Sequence, residues 1–339
     1  MSSSPPSSLN GVLSTFKCGQ YTYPIFTSGD LNATRAVIFI GGLTNGLGGV
    51  PYSYALSEAL GKAGWKFSTG ARRTEDMGLE VWIGTGMKWP SLSNIYEPTA
   101  CPPVLSFFTL SVAACKPHWA VVVPAIFHQI DTPPAVGLST IIIMGHSTGS
   151  QNVIHYLSSS THASDPETQV QGGIMQAPVS DREFMPLIGM TDHINAVPLA
   201  ERMISEGRGD ELMPKDFREK AGFGQGELAI NAYRLRSLVG VGGDDDYFSS
   251  DIPLDPTPPF KHSLSDSFGV LSAPALALYS EKDAPYQVAK PEDLLPRWAE
   301  AAKGKLEWRI LKGASHEVPE PEAQVIVCEE VVGWLKRFE

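Results

Sequence analysis

Five short apolar runs punctuate the chain: Ala36–Ile40 (AVIFI), Ile141–Met144 (IIIM), Gly172–Ala177 (GGIMQA), Ala275–Tyr279 (ALALY) and Leu306–Leu311 (LEWRIL). Continuous runs of this length, without strict alternation, are the pattern of strands covered on both faces, as in a parallel sheet. Apolar residues at helical spacing lie between them. Residues 51–61 (PYSYALSEALG) show it, as do residues 150–157, where Val153, Ile154 and Leu157 share one face, and the C-terminal stretch 323–338. Strands alternating with helices predict a mostly parallel sheet with right-handed crossovers.

The pattern breaks twice. From residue 180 to 270 the strand signal disappears and charges cluster, with helical stretches over 181–190, 198–206 and 226–238 set between Pro/Asp-rich loops. An insertion after one core strand and before the next reads as a helical cap over the C-terminal edge of the sheet. The second break is Met87–Thr140. Its only charged residues are Lys88, Glu97, Lys116 and Asp131, where the chain's 19% charged content would supply about ten. Its apolar runs (SFFTLSV, AVVVPAIF) lack the period of the amphipathic helix expected before Ile141. The organisation expected is therefore a disordered N-terminus over 1–14, a core over 15–179 and 271–339 with an anomalous segment at 66–137, and a cap over 180–270.

Composition narrows the function. A content of 42% hydrophobic residues is that of a soluble globular protein. A net charge of −11 argues against nucleic-acid binding, which needs a basic footprint. No run reaches the roughly 18–20 apolar residues of a membrane span, and MSSSPPSSLNGVL lacks the basic and apolar regions of a secretory signal. Cys18, Cys101, Cys115 and Cys328 are scattered, without a CxxC. They read as reduced thiols of a cytoplasmic protein, and no metal or other cofactor is expected.

The chemistry is carried by GHSTG at residues 145–149. With 32 Gly in the chain, a G-x-S-x-G match arises by chance about 0.3 times. Its context adds weight, because the match follows a buried strand and opens a helix, as a nucleophile elbow requires. The fold class this implies is α/β, an α/β-hydrolase fold with a helical cap insertion. The competing reading is a serine N-cap on an ordinary helix. A serine hydroxyl needs a base, and in this fold the order along the chain is Ser, acid, His. His316, in GASHEVPE directly after LEWRIL, stands where the fold presents its base. His262 reads as a surface residue of the cap, His146 as packed under the elbow and His155 as structural. Asp283, past the end of ALALY, is the expected acid, with Glu281 as its rival. The expected catalytic residues are thus Ser147, Asp283 and His316. Gly41-Gly42 after the first strand places the N–H of Leu43 opposite that of Thr148 as the oxyanion hole. The plain alternative for the glycine pair is a tight turn.

FIGGLTNGL, GHSTGSQNVIHYL, MQAPVSDRE and RLRSLVGVGGDDDYFSSD resemble a family of fungal and plant α/β-hydrolases that includes the intracellular esterases of fusarinine-type siderophores. The resemblance covers residues 15–65 and 138–339, and its QAPVSDRE and GGDDDYFSSD blocks are more specific than G-x-S-x-G. It implies a cytoplasmic esterase acting on a small-molecule ester, a ferric siderophore, through an acyl-enzyme, with no nucleic-acid or membrane partner. The Asp244–Asp246 patch reads either as a solvated loop or as part of the substrate mouth. Two other functions fit the same residues: a non-catalytic small-molecule-binding protein, and a general carboxylesterase or thioesterase. Residues 66–137 do not match. They are either non-native sequence, such as a translated intron or a shifted frame, or a lineage-specific insertion.

Overall fold

The computed structural model describes residues 9–18, 21–42, 45–70, 137–164, 169–221 and 230–339. Among the described residues eight strands form one sheet: β1 (Gly11–Cys18), β2 (Tyr21–Gly29), β3 (Arg35–Ile40), β4 (Lys66–Gly70), β5 (Thr140–His146), β6 (Gly172–Gln176), β7 (Ala275–Ser280) and β8 (Leu306–Leu311). Their order is β1-β2-β4-β3-β5-β6-β7-β8. From β4 to β8 every pairing is parallel, and β1 and β2 add an antiparallel edge. The helices are α1 (Ser53–Lys62), α2 (Thr148–Ser158), α3 (Ser160–Ser164), α4 (Asp181–Leu187), α5 (Thr191–Asn195), α6 (Val197–Ser205), α7 (Lys215–Ala221), α8 (Ala232–Val239), α9 (Pro291–Ala301) and α10 (Pro321–Leu335). No helix among the described residues is long and apolar enough to cross a membrane.

The apolar runs are continuous because both faces of the sheet are covered. Ile38, Ile143, Met175, Ala275, Ala277 and Tyr279 point into one core cluster, with α2 and α9 residues such as Val153, Leu157, Leu295 and Trp298. Val37, Phe39, Ile142, Met144, Ile174, Leu276 and Leu278 point into the other, against Leu56 and Leu60 of α1 and Val327 and Val331 of α10. Each fully buried Leu, Ile or Val contributes about 1.5–3 kcal/mol, so the two faces together fix the strand register.

Three elements depart from expectation. The hairpin edge begins at Gly11, so residues 11–14 are strand where a disordered terminus was expected. β4 occupies residues 66–70, the start of the segment expected to be anomalous, and pairs with both β3 and β2. Buried Phe67 is followed by the hydroxyl residues Ser68 and Thr69 rather than by an apolar run; Ser68 Oγ meets Thr27 Oγ1 of β2 at 3.0 Å, and beside it Ser28 Oγ of β2 meets Ser57 Oγ of α1 at 2.7 Å. Residues 71–136 lie outside the described residues. The third departure is the cap boundary. Met185, Met203, Phe217, Leu235 and Leu238 form a separate cap core. By contrast Tyr247, Phe248, Ile252, Leu264 and Phe268 belong to the core of the sheet, so the chain returns to the main body well before residue 270.

The two specific sequence blocks interlock where the cap leaves and rejoins that body. Ser180 Oγ caps α4 by accepting from Glu183 N at 3.1 Å and lies 2.6 Å from Ser249 Oγ. Arg182 Nε donates to Asp246 Oδ2 at 3.1 Å, and its guanidinium also pairs with Asp251. Glu183 Oε1 accepts from Ser250 N at 2.7 Å and Ser250 Oγ at 2.6 Å. Asp245 holds Arg234 and Ser237, and Asp244 holds Tyr233 and Lys261. The Asp244–Asp246 patch is therefore neither a solvated loop nor a free rim. Asp244 and Asp245 both hold α8, and Asp246 holds Arg182 of α4. Asp246 is almost fully buried, so Asp246→Ala removes the inner partner of Arg182 and leaves it only the exposed Asp251. Urea unfolding should show a loss of about 3 kcal/mol. Lys62→Ala, which removes an exposed pair with Glu58, should change stability hardly at all.

Candidate active site

The register of β3, β5, β6 and β7 brings their C-terminal ends level. Ile40 pairs with Gly145, His146 with Gln176, and Gln176 with Leu278. β5 then turns into α2 within one residue. Ser147 sits in that turn at φ 52°, ψ −121°. Such a backbone costs a non-glycine residue about 1–3 kcal/mol, and the surroundings must impose it. They do so through close approach: a Cβ on Gly145 would lie 2.1 Å from Gly149 O, and one on Gly149 would lie 2.2 Å from Ile40 O. Ser147 N donates to Gln176 O at 3.0 Å and Ser150 Oγ donates to the same oxygen at 2.9 Å, which tie the turn to β6.

His316 and Asp283 arrive on the loops after β8 and β7. His316 Nε2 lies 2.9 Å from Ser147 Oγ. Its Nδ1 lies 3.1 Å from both oxygens of Asp283, whose side chain is 1% exposed. A carboxylate partner at Nδ1 assigns the proton to that nitrogen and leaves Nε2 to accept from the serine. Glu281, the rival acid, points elsewhere: it is exposed and receives Lys312 Nζ and Gly313 N, both at 2.8 Å. That contact, Lys282 N to Ala314 O at 2.9 Å and Lys282 Nζ to Glu320 at 3.0 Å staple the acid loop to the base loop. Gln324 of α10 donates to Val318 O at 3.0 Å and holds the far side of the base loop.

Burial alone would lower the His316 pKa. The hydrogen bond and charge of Asp283 outweigh it, with further help from Asp181 and Glu317, and the net shift is upward. Phe184 of α4 stacks on the His316 ring at 6.0 Å, so the cap helix forms one wall of the site. Beside it Asp181 is buried, and burial raises its pKa to about 6 despite the hydrogen bond from Gln151 Nε2 at 2.5 Å.

Leu43, one expected oxyanion donor, lies outside the described residues. Its neighbour Gly42 approaches the elbow so closely that a Cβ there would lie 2.9 Å from Ser147 Cβ. The Gly42 N–H is already committed to Asn45 Oδ1 at 2.8 Å, and Asn45 Nδ2 donates to Gly49 O at 3.2 Å. Thr148, the other expected donor, is the first residue of α2, where a backbone N–H has no acceptor within its own helix. Among the remaining histidines, His146 is buried under the elbow and His155 bonds Tyr247. His262 is not a free surface group: it stacks on Tyr247 at 4.1 Å and its Nε2 donates to Asp244 O at 2.9 Å. Sequence reasoning missed Asn45, Gln176, Asp181 and Phe184. Gln176 and Asp181 lie within the QAPVSDRE block and Asn45 within FIGGLTNGL, but nothing in those blocks marked these three residues individually, and Phe184 lies just past the first block. Among the described residues no group of three or more His, Cys, Asp or Glu side chains is gathered to hold a metal.

Residues 1–71 and 126–336 match a family model described as a protein of unknown function, DUF1749. The chain belongs to that family. Relatives of this DUF1749 chain include the fusarinine C esterase sidJ of Aspergillus fumigatus, 27% identical over 98% of this chain and 97% of the other. Among solved structures it resembles the siderophore hydrolase EstB of Aspergillus fumigatus at TM-score 0.66 and 20% identity, covering 98% and 99% of the two chains. It also resembles a monoglyceride lipase of Saccharomyces cerevisiae at TM-score 0.59 and 12% identity, covering 99% and 97%. The fold of the DUF1749 chain is thus that of the α/β-hydrolases. Its family match breaks between residues 71 and 126, inside the segment that looked anomalous in sequence.

The raised His316 pKa carries a sign. A histidine that acts as general base must be neutral, so with His316 in that role hydrolysis should fall as pH drops through the raised value. The acid limb of kcat/KM for a p-nitrophenyl ester should therefore lie above the ordinary histidine value of 6.5, and Asp283→Asn should move it down.

Proposed function

We propose that this carboxylic ester hydrolase works through Ser147 as nucleophile, His316 as general base and Asp283 as the acid that orients the imidazole. The observation that carries the reading is the hydrogen-bonded chain from Ser147 Oγ through His316 to Asp283, at 2.9 Å and 3.1 Å. His316 takes the serine proton as Oγ attacks the ester carbonyl, and the imidazolium is held by Asp283. The tetrahedral oxyanion is received by the N–H of Thr148 at the start of α2, with that of Leu43 as second donor. His316 then protonates the leaving alcohol, an acyl-enzyme remains on Ser147, and water activated by His316 releases the acid.

The substrate class proposed is the ester of a fusarinine-type siderophore, hydrolysed in the cytoplasm. The family membership and the likeness to the sidJ esterase along nearly the whole chain support it. Incubation with ferric and iron-free fusarinine C, followed by mass spectrometry, should show hydrated, ring-opened products. Turnover of p-nitrophenyl butyrate with no opening of either siderophore would instead mark a general carboxylesterase.

Variants test the residues. Ser147→Ala and His316→Ala should each lower kcat by several orders of magnitude, because the three groups act as a unit. Asp283→Asn should cost less, and Glu281→Gln little. A larger loss at Glu281 than at Asp283 would overturn the assignment of the acid.

A further inference from the structure

Beneath the Ser147–His316 pair lies a carboxamide with all its hydrogen-bonding positions in use. Gln176, the last residue of β6, is fully buried. Its Oε1 accepts from Tyr52 Oη at 3.0 Å and from His146 Nδ1 at 2.5 Å. Its Nε2 donates to Ser280 Oγ at 3.0 Å and reaches the main-chain oxygen of His316 at 3.5 Å. A side-chain amide offers two donors and two acceptor positions, so this set of neighbours fixes which end is oxygen. The main-chain oxygen of Gln176 is the one that receives Ser147 N and Ser150 Oγ. One residue therefore joins α1, the end of β5, the elbow, the end of β7 and the base loop.

The amide also sets the state of His146. An amide oxygen only accepts, so the His146 proton sits on Nδ1. Burial, reinforced by the nearby His316, lowers the His146 pKa to about 3 and keeps the ring neutral. That matters because the two imidazoles are 5.1 Å apart. A charged His146 would oppose the imidazolium that His316 becomes during turnover.

We propose that Gln176 is a positioning residue for the hydrolytic reaction, holding the His316 main chain and the neutral Nδ1–H tautomer of His146 so that the base meets Ser147 in register. This rests on the reading of Ser147 as nucleophile. The charged and titratable groups around His316 are Asp283 from the acid loop, Asp181 from α4, Glu317 beside it and His146 below. Substitution at Gln176 leaves all four in the chain.

Two variants and two readouts test the proposal. Gln176→Met keeps the length and removes every side-chain hydrogen bond of the amide. Gln176→Glu keeps the shape, loses the donors to Ser280 and His316, and adds a carboxyl group. Both should retain a cooperative thermal transition above the assay temperature. With p-nitrophenyl butyrate, Gln176→Met should lower kcat at least about tenfold with KM within about twofold, because a small misplacement of the base acts on the transition state. In Gln176→Glu, the His316 ring titration followed by NMR should move to higher pH, and the acid limb of kcat/KM should move with it, since a nearby carboxylate favours the imidazolium. A Gln176→Met kcat within twofold of wild type, or a His316 titration in Gln176→Glu that coincides with wild type, would overturn the proposal. Should Gln176→Met fail to fold, the kcat of Gln176→Glu, which also loses the donors to Ser280 and His316, takes its place with the same tenfold fall expected. A wild-type protein that hydrolyses no ester would defeat the nucleophile reading instead, an outcome distinct from an active wild type whose Gln176 variants keep its kcat.

Discussion

The turn at Ser147 is the constraint on which the site depends. A serine at φ 52°, ψ −121° is not a conformation that a free chain adopts in quantity. It is imposed here by a strand that ends at His146 and a helix that begins at Thr148, with backbone so close that neither Gly145 nor Gly149 leaves room for a Cβ. The buried faces of β5 and α2 hold the turn in place. Val153, Ile154 and Leu157 pack into the same core as Ile143 and Met175, so relaxing the turn would mean withdrawing large apolar side chains from two layers. The strain is thus opposed by the same burial that makes the fold, and the serine hydroxyl is left at the mouth of the sheet.

Everything else in the site brings partners to that point. His316 and Asp283 come from separate loops, and no single contact would align them. The alignment is shared among the Glu281 and Lys282 staples, Gln324 on α10, and the Gln176 amide below. The cap contributes one wall through Phe184, and its root is secured by the clasp of Arg182 with Asp246 and Asp251. The cap has its own hydrophobic core, so its contents can differ while its anchoring to the sheet is kept.

The legibility of these features in the sequence followed from how local their physics is. The parallel strands β3, β5, β6, β7 and β8 were visible because burial on both faces leaves unbroken apolar runs. Strand β4 was hidden because Ser68 and Thr69 break its apolar run and the Ser68 hydroxyl finds its partner in Thr27 of the neighbouring strand, which no one-dimensional pattern displays. Helix α9 drew no reading from the sequence; it opens on Pro291 and carries a second proline, Pro296, within it. Ser147 was legible from a short motif in context, and His316 and Asp283 from their place after strands. The structure brings those three side chains together. Gln176 was not legible, because its importance arises from the register of β6 against β5 and β7 and from loops distant in sequence. The Asp244–Asp246 patch was open to reading as a solvated loop or as part of the substrate mouth for a related reason: Arg182, the partner of Asp246, lies 64 residues away along the chain.

The central claim is that Ser147 is a nucleophile activated by its surroundings rather than an ordinary serine at a helix start. Labelling with an alkyl fluorophosphonate tests it most directly, because the probe needs an activated hydroxyl and no particular substrate. The account predicts one phosphonyl group per folded chain, found by mass spectrometry on the peptide that contains Ser147. It also predicts that labelling slows as pH falls through the His316 titration and is lost in His316→Ala and in urea. A folded protein that takes up no label, or takes it up on another serine at an equal rate, would contradict it.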